Sequence, residues 1–296
     1  EILVMKINPL VQELSRGLWA MSFEGLNFWG PIAHKILTRE TVDNEIKPNA
    51  ILSVFDSRGQ MVARDQEGGI NAPKGSVAVI DIKGALLKEG DWCSYGAVEI
   101  VNALKAADDN ANIVGSVAYF DGPGGSVSAI APFVAFGKTK KKPIVGLYDQ
   151  CCSAHLYAMY SMCDYVIAEN DISAVIGSCG IVLSFADNRE YLEKLGYKFH
   201  EVYPEESKDK NQAFALALEG KYDMIKKEML SPLAIKFQDA VKAARPNLKL
   251  DEPGIITGKT FFTDHAIDIG LTDSKGTLND AIERVKILSE MNSLYK

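Results

Sequence analysis

The 296-residue chain lacks the ligand pattern of a metalloprotein. Its four histidines are scattered at His34, His155, His200 and His265, and its five cysteines (Cys93, Cys151, Cys152, Cys163, Cys179) include no C-x-x-C pair. Cys151 and Cys152 are adjacent, so they cannot both serve one tetrahedral site without strain. No metal and no cofactor is expected. An odd cysteine count also argues against a disulfide framework, and the expectation is buried, reduced thiols in a cytoplasmic protein.

A basic excess is missing too. With 39 acidic against 32 basic residues the formal charge is −7, which disfavours a nucleic-acid partner. No run approaches the about 18 consecutive apolar residues of a membrane helix, and no basic–apolar–small signal pattern opens the chain. The first residue is Glu1 rather than Met, so an anchor removed from this sequence stays among the alternatives. The 24 Gly and 11 Pro are near average usage, which excludes collagen-like and low-complexity readings.

What is present is enough apolar residue, 47%, for one sizeable core. Residues 1–75 read as an N-terminal extension and 76–296 as the main domain, with the boundary at Ala72-Pro73-Lys74-Gly75. Within the extension Trp19, Phe23, Phe28 and Trp29 crowd a short segment. They either pack on their own core or form a patch that joins copies of the chain. A membrane-surface role is disfavoured because Glu24 interrupts the apolar run.

From Val77 the spacing predicts strand and helix in alternation. Strands are expected at Val77–Ile82, Ile113–Phe120, Pro143–Tyr148 and Tyr165–Ala168, with helices at Val98–Ala107, Ser126–Phe136 and Ser153–Met162. That rhythm implies parallel βαβ units, an α/β fold. Further on, a helix is expected at Asp187–Leu195, a strand at Lys198–Tyr203, and long helices at Tyr222–Ala244 and Leu278–Glu290.

Three loops at strand ends carry candidate chemistry. Asp121-Gly122-Pro123-Gly124-Gly125-Ser126 is a tight turn whose bare backbone can approach a ligand, or simply a tight βα connection; it matches neither common phosphate-loop pattern. Ser153 opens a helix, where a serine is a nucleophile or merely an N-cap. His155 is close in sequence, but side chains two apart on a helix diverge by about 200°, so it is a poor base for Ser153. Glu205-Glu206-Ser207-Lys208-Asp209-Lys210 reads alone as a solvated charge run.

Taken together, these segments resemble the S49 peptidases, the family of signal-peptide peptidase A and phage head-maturation proteases, from Val77 to Ile287. Val77–Gly84 is similar to the family's opening strand. Asp121–Gly125 resembles its D-S-P-G-G turn with Gly122 in place of the serine, and Ser153-Ala154-His155-Leu156-Tyr157 its nucleophile helix. Ile176-Gly177-Ser178-Cys179-Gly180-Ile181 resembles its G-S-[IV]-G-[IV] turn. Gly258–Asp273, with Ala266, Gly270, Leu271 and Asp273, resembles its closing signature. His155 and Leu156 depart from the small or aromatic residues usual there.

The resemblance implies a ClpP/crotonase-type fold and a serine endopeptidase with a Ser/Lys dyad: Ser153 as nucleophile, Lys208 as general base, and the N–H groups of Gly124 and Ala154 as oxyanion hole. Ser178 would support the lysine, or be only a turn hydroxyl, and Lys210 is a near neighbour of Lys208. It further implies a protein or peptide substrate, a homo-oligomer, and a phage prohead role on capsid or scaffold proteins, in a bacterial host or its prophage. A Ser-His-Asp protease of the same fold is disfavoured, since Leu156–Phe199 contains no histidine. The remaining alternatives are a membrane-associated signal-peptide-degrading peptidase, a crotonase-type acyl-CoA enzyme and an inactive assembly scaffold.

Overall fold

The computed structural model describes residues 18–21, 50–65, 69–90, 94–185 and 187–294. Its centre is a sheet whose inner strands are nearly continuous apolar runs, as expected for strands covered on both faces. Strands β1 (Leu18–Met21), β2 (Leu52–Phe55) and β3 (Ser76–Lys83) come first, then helix α1 (Ala97–Asp109), β4 (Ile113–Gly122), β5 (Gly124–Ser126) and α2 (Ile130–Gly137). Next are β6 (Ile144–Cys152), α3 (Ala154–Met162), β7 (Tyr165–Ala168), β8 (Val175–Gly177) and β9 (Val182–Leu183). The chain continues through α4 (Arg189–Lys194), α5 (Gln212–Leu218), α6 (Ser231–Ala244), β10 (Thr260–Phe262), α7 (Thr263–Asp268), β11 (Ser274–Lys275) and α8 (Leu278–Leu294).

The large sheet runs β10-β8-β6-β4-β3-β2, with β7 on β6 and β11 on β7. Strands β3, β4, β6, β7 and β8 pair in parallel, whereas β2 and β10 are antiparallel edges. The boundary expected at Gly75 falls between two paired strands, β2 before it and β3 after it. One face of the sheet and α1, α2 and α3 form the main core, around Phe120, Phe133, Phe136 and Tyr148. The other face packs Val77, Val117, Val145 and Leu147 against Ile282 and Val285 of α8. α3 is buried on nearly every side, which its apolar sequence permits.

The closing signature holds the architecture together. Arg245 grips Asp273 with two bonds of 2.8 and 2.9 Å, and Asp273 also accepts the Val166 N–H at 2.8 Å, tying this turn to β7. The Tyr160 hydroxyl donates to the Leu271 carbonyl at 2.6 Å, and those of Tyr148 and Thr272 lie 2.7 Å apart.

Two local expectations change. Lys198–Tyr203 is not a strand: Phe199, Val202 and Tyr203 are all exposed, and the segment pairs with no described strand. The helix expected from Tyr222 to Ala244 contains a π turn at Lys226–Leu230, just before Pro232, which has no N–H to continue the ordinary ladder. Trp19 is buried within the fold, while Phe23, Phe28 and Trp29 lie outside the described residues. Cys151, Cys163 and Cys179 are free thiols, Cys152 is buried, and Cys93 lies outside the described residues. No described helix is long and apolar enough to cross a membrane.

Candidate active site

The site forms where β4, β6 and β8 end side by side. Cys152 at the end of β6 pairs with Gly177 at the end of β8, and Gly122 at the end of β4 pairs with Cys151. Ser153 is the hinge between β6 and α3. Its backbone has φ 55° and ψ −110°, a conformation L-residues rarely adopt, and its N–H donates to the Gly177 carbonyl at 2.9 Å. Strained strand-to-helix turns of this kind cluster at functional sites. The Ser153 hydroxyl donates to the Gly180 carbonyl at 3.3 Å and is otherwise almost wholly buried.

The N–H of Ala154, the first residue of α3, donates to no described residue. It belongs to the helix end where backbone donors are left over and where negative charge is favoured. Ser178 also has a positive φ, 56°, and its N–H is bonded to the Lys259 carbonyl at 2.8 Å. Its turn, between β8 and Gly180, borders Ser153.

The glycine turn meets α3 through His155. The Gly124 N–H donates to His155 Nδ1 at 3.0 Å, so it is not aimed at the Ser153 hydroxyl. The imidazole is fully buried. Burial lowers its pKa to about 3, against the opposing influence of the Ile82 backbone. It is therefore neutral, and because Nδ1 accepts, the proton sits on Nε2. That role, a fixed acceptor for the turn, was invisible in the sequence, where no spacing rule links residues 124 and 155. His155 does not serve Ser153 as a base.

Ser153, Ala154, Gly124 and Ser178 are thus brought to one place. Lys208 is not. It follows a 3-10 turn, Glu205–Ser207, is exposed to solvent, and forms no hydrogen bond or ion pair with a described residue. Lys210 is exposed on the same loop. The nearby carboxylate Asp121 is raised in pKa by burial and then by the charge of Asp149. Strand alternation, however, puts it with Tyr119 on the α8 face, opposite Phe120 and the serine. Among the described residues no cluster of histidine, cysteine and carboxylate groups could hold a metal ion.

The model of peptidase family S49 matches residues 137–292, a span that contains Ser153, Ala154, Ser178 and Lys208. The chain belongs to peptidase family S49. Protease 4 of Haemophilus influenzae is 24% identical to this S49 member over 224 residues, 74% of the chain and 35% of the relative. A protein of Methanocaldococcus jannaschii named provisionally as a protease is 23% identical over 196 residues, 65% of the chain and 62% of the relative. The S49 member thus spans only part of the length of either relative. Among solved structures, a membrane-bound stomatin-specific protease in complex with a substrate peptide superposes with a TM-score of 0.46 at 14% identity, covering 73% of this chain and 81% of that one. An enoyl-CoA hydratase/isomerase family member gives 0.40 at 18% identity, covering 76% and 75%. The family and the parallel sheet with its crossover helices give this S49 member the ClpP/crotonase-type fold.

Proposed function

We propose that the chain is a serine endopeptidase in which Ser153 attacks the peptide carbonyl and Lys208 takes the hydroxyl proton. The observation that carries this reading is the Ser153 hinge. A hydroxyl stands on a strained turn at a helix start, beside the Ala154 N–H, a donor with no acceptor among the described residues. An N-cap serine would instead bond its own helix; here no such cap bond forms and the hydroxyl turns to Gly180.

Two details extend the reading. The Ala154 N–H receives the oxyanion. Gly124 gives its own N–H to His155, and its neighbour Gly125 turns its N–H towards β1, so Ala154 is the donor this arrangement offers to the serine. The lysine comes from a second copy of the chain. Lys208 is exposed and has no hydrogen bond or ion pair with a described residue, and its arm exposes Phe185, Tyr191, Leu195, Tyr197, Phe199 and Val202. A surface that apolar is usually covered by a partner. Covering it also provides the burial that lowers a lysine's pKa enough for it to act as a base. The resemblance to phage head-maturation proteases adds the setting, with capsid or scaffold proteins as substrates and residues 76–296 as the peptidase domain.

The test is Ser153→Ala against a peptide substrate and a fluorophosphonate probe. Loss of both hydrolysis and labelling, with the fold intact, is the expected result. A variant that cleaves as fast as the parent overturns the assignment.

A further inference from the structure

β1 is the middle strand of a separate three-stranded sheet, in the order β5-β1-β9. It is antiparallel to both neighbours: Trp19 faces Ser126, Ala20 faces Gly125 and Met21 faces Gly124 on one side, and Leu18 faces Leu183 and Trp19 faces Val182 on the other. β5 and β9 do not bond each other. Without β1 they would face one another across a gap about one strand wide, each offering a row of unpaired N–H and C=O groups. Such a gap takes an extended peptide by adding it to both edges at once.

The register says which end of that peptide meets the chemistry. Carrying the β1–β9 pairing on by two residues puts Met21 opposite Gly180, whose carbonyl accepts the Ser153 hydroxyl. On the other side Met21 lies opposite Gly124, and Ala20 lies opposite Gly125, whose N–H faces β1. The carboxyl end of the strand therefore points at Ser153, as the acyl half of a cleavable peptide would. The fit is close. Trp19, Ala20 and Met21 are 5%, 0% and 6% exposed. A Cβ on Gly124 would lie 2.2 Å from the Ala20 carbonyl oxygen, so only glycine lets the strand approach this far.

We propose that Leu18–Met21 occupies the substrate slot of its own chain as an intramolecular competitor, and that the slot takes extended peptides whose last acyl residues are large apolar, small, large apolar. The inference rests on Ser153 being the nucleophile. With β1 in place, only the fraction of molecules whose strand has left binds substrate, and apparent affinity falls by that fraction.

The test uses the full chain, the variant Ala20→Arg, and the aminocoumarin amide of Leu-Trp-Ala-Met as substrate. Ala20 has no room for a long charged side chain, so the strand is expelled. The expected result is a severalfold lower KM at similar kcat for Ala20→Arg, and stronger inhibition of that variant than of the parent by the peptide amide Leu-Trp-Ala-Met. Equal KM values in parent and variant, with Ser153→Ala inactive, overturn the inference and leave the nucleophile standing. An active Ser153→Ala fails the nucleophile instead. Should Ala20→Arg not fold, hydrogen exchange on the parent decides. A Leu-Trp-Ala-Met analogue ending in a boronic acid, at saturation, is expected to strip protection from residues 18–21, and unchanged protection there overturns the inference.

Discussion

His155 occupies the space that any side chain at position 122 would need. A Cβ on Gly122 would lie 2.5 Å from Cε1 and 2.7 Å from Nε2 of the imidazole, and 2.4 Å from the Gly84 carbonyl oxygen. In the sequence these residues are two separate departures from the S49 pattern, a glycine where a serine is usual and a histidine where a small residue is usual. In three dimensions they are one feature. The lost side chain at the turn makes room for a ring on the nucleophile helix, and the ring repays it by accepting the Gly124 N–H.

The pair should therefore be energetically coupled. Gly122→Ala is expected to destabilise the fold by about 1–3 kcal/mol through overpacking. Adding His155→Ala removes the imidazole part of the clash but not the contact with Gly84, so the double variant should be less destabilised than the sum of the two. Denaturant unfolding of the four proteins measures this, and strict additivity would show that the two positions are independent.

His155 should act on catalysis only through the turn. His155→Phe keeps the ring volume but loses the acceptor for Gly124, so kcat is expected to drop about tenfold or more with KM less affected. His155→Gln retains an oxygen acceptor and should recover part of that loss. Two variants that lose activity equally, or neither losing any, would contradict a positioning role.

The buried imidazole also sets a pH dependence of stability. In the unfolded chain His155 takes a proton below about 6.5, whereas in the native state it stays neutral down to about 3. The unfolded state binds the extra proton across that window, so stability is full above it and falls as the pH drops from 6.5 towards 3. Melting temperature followed over this range should decline more steeply for the parent than for His155→Gln. Parallel curves would mean that the imidazole already titrates in the native protein.

If Lys208 works across an interface, two dead proteins should revive each other. Ser153→Ala and Lys208→Ala are each expected to be inactive, and an equal mixture allowed to exchange subunits should recover about a quarter of parent activity by chance pairing. Lys210→Ala should retain most activity. A mixture that stays inactive although light scattering shows exchanged oligomers would place the dyad within one chain, and an inactive Lys210→Ala would move the base to that residue.

The Arg245–Asp273 pair predicts a stability effect without a chemical one. Asp273→Ala leaves a half-buried guanidinium and the Val166 N–H without their acceptor. The expected loss is about 2–3 kcal/mol, with kcat per folded molecule unchanged. A loss of kcat in the folded fraction would give this turn a catalytic part that the geometry does not suggest.

The sequence alone determined the alternation of apolar strands and helices from Val77 onward, because residues buried on a parallel sheet must be apolar at nearly every position. It also marked the turns around Gly124, Ser153 and Ser178, where short side chains and glycine are needed for local backbone reasons. These signals are local and survive without tertiary context. Lys198–Tyr203 shows the limit: its alternating residues suit a strand, but a strand also needs a partner, and this segment pairs with no described strand. The bond from Gly124 to His155, the insertion of Leu18–Met21 between β5 and β9, and the exposure of Lys208 were likewise decided only by tertiary structure. Each depends on which distant segments meet. That is set by the packing of the whole sheet and leaves no periodic trace in the chain.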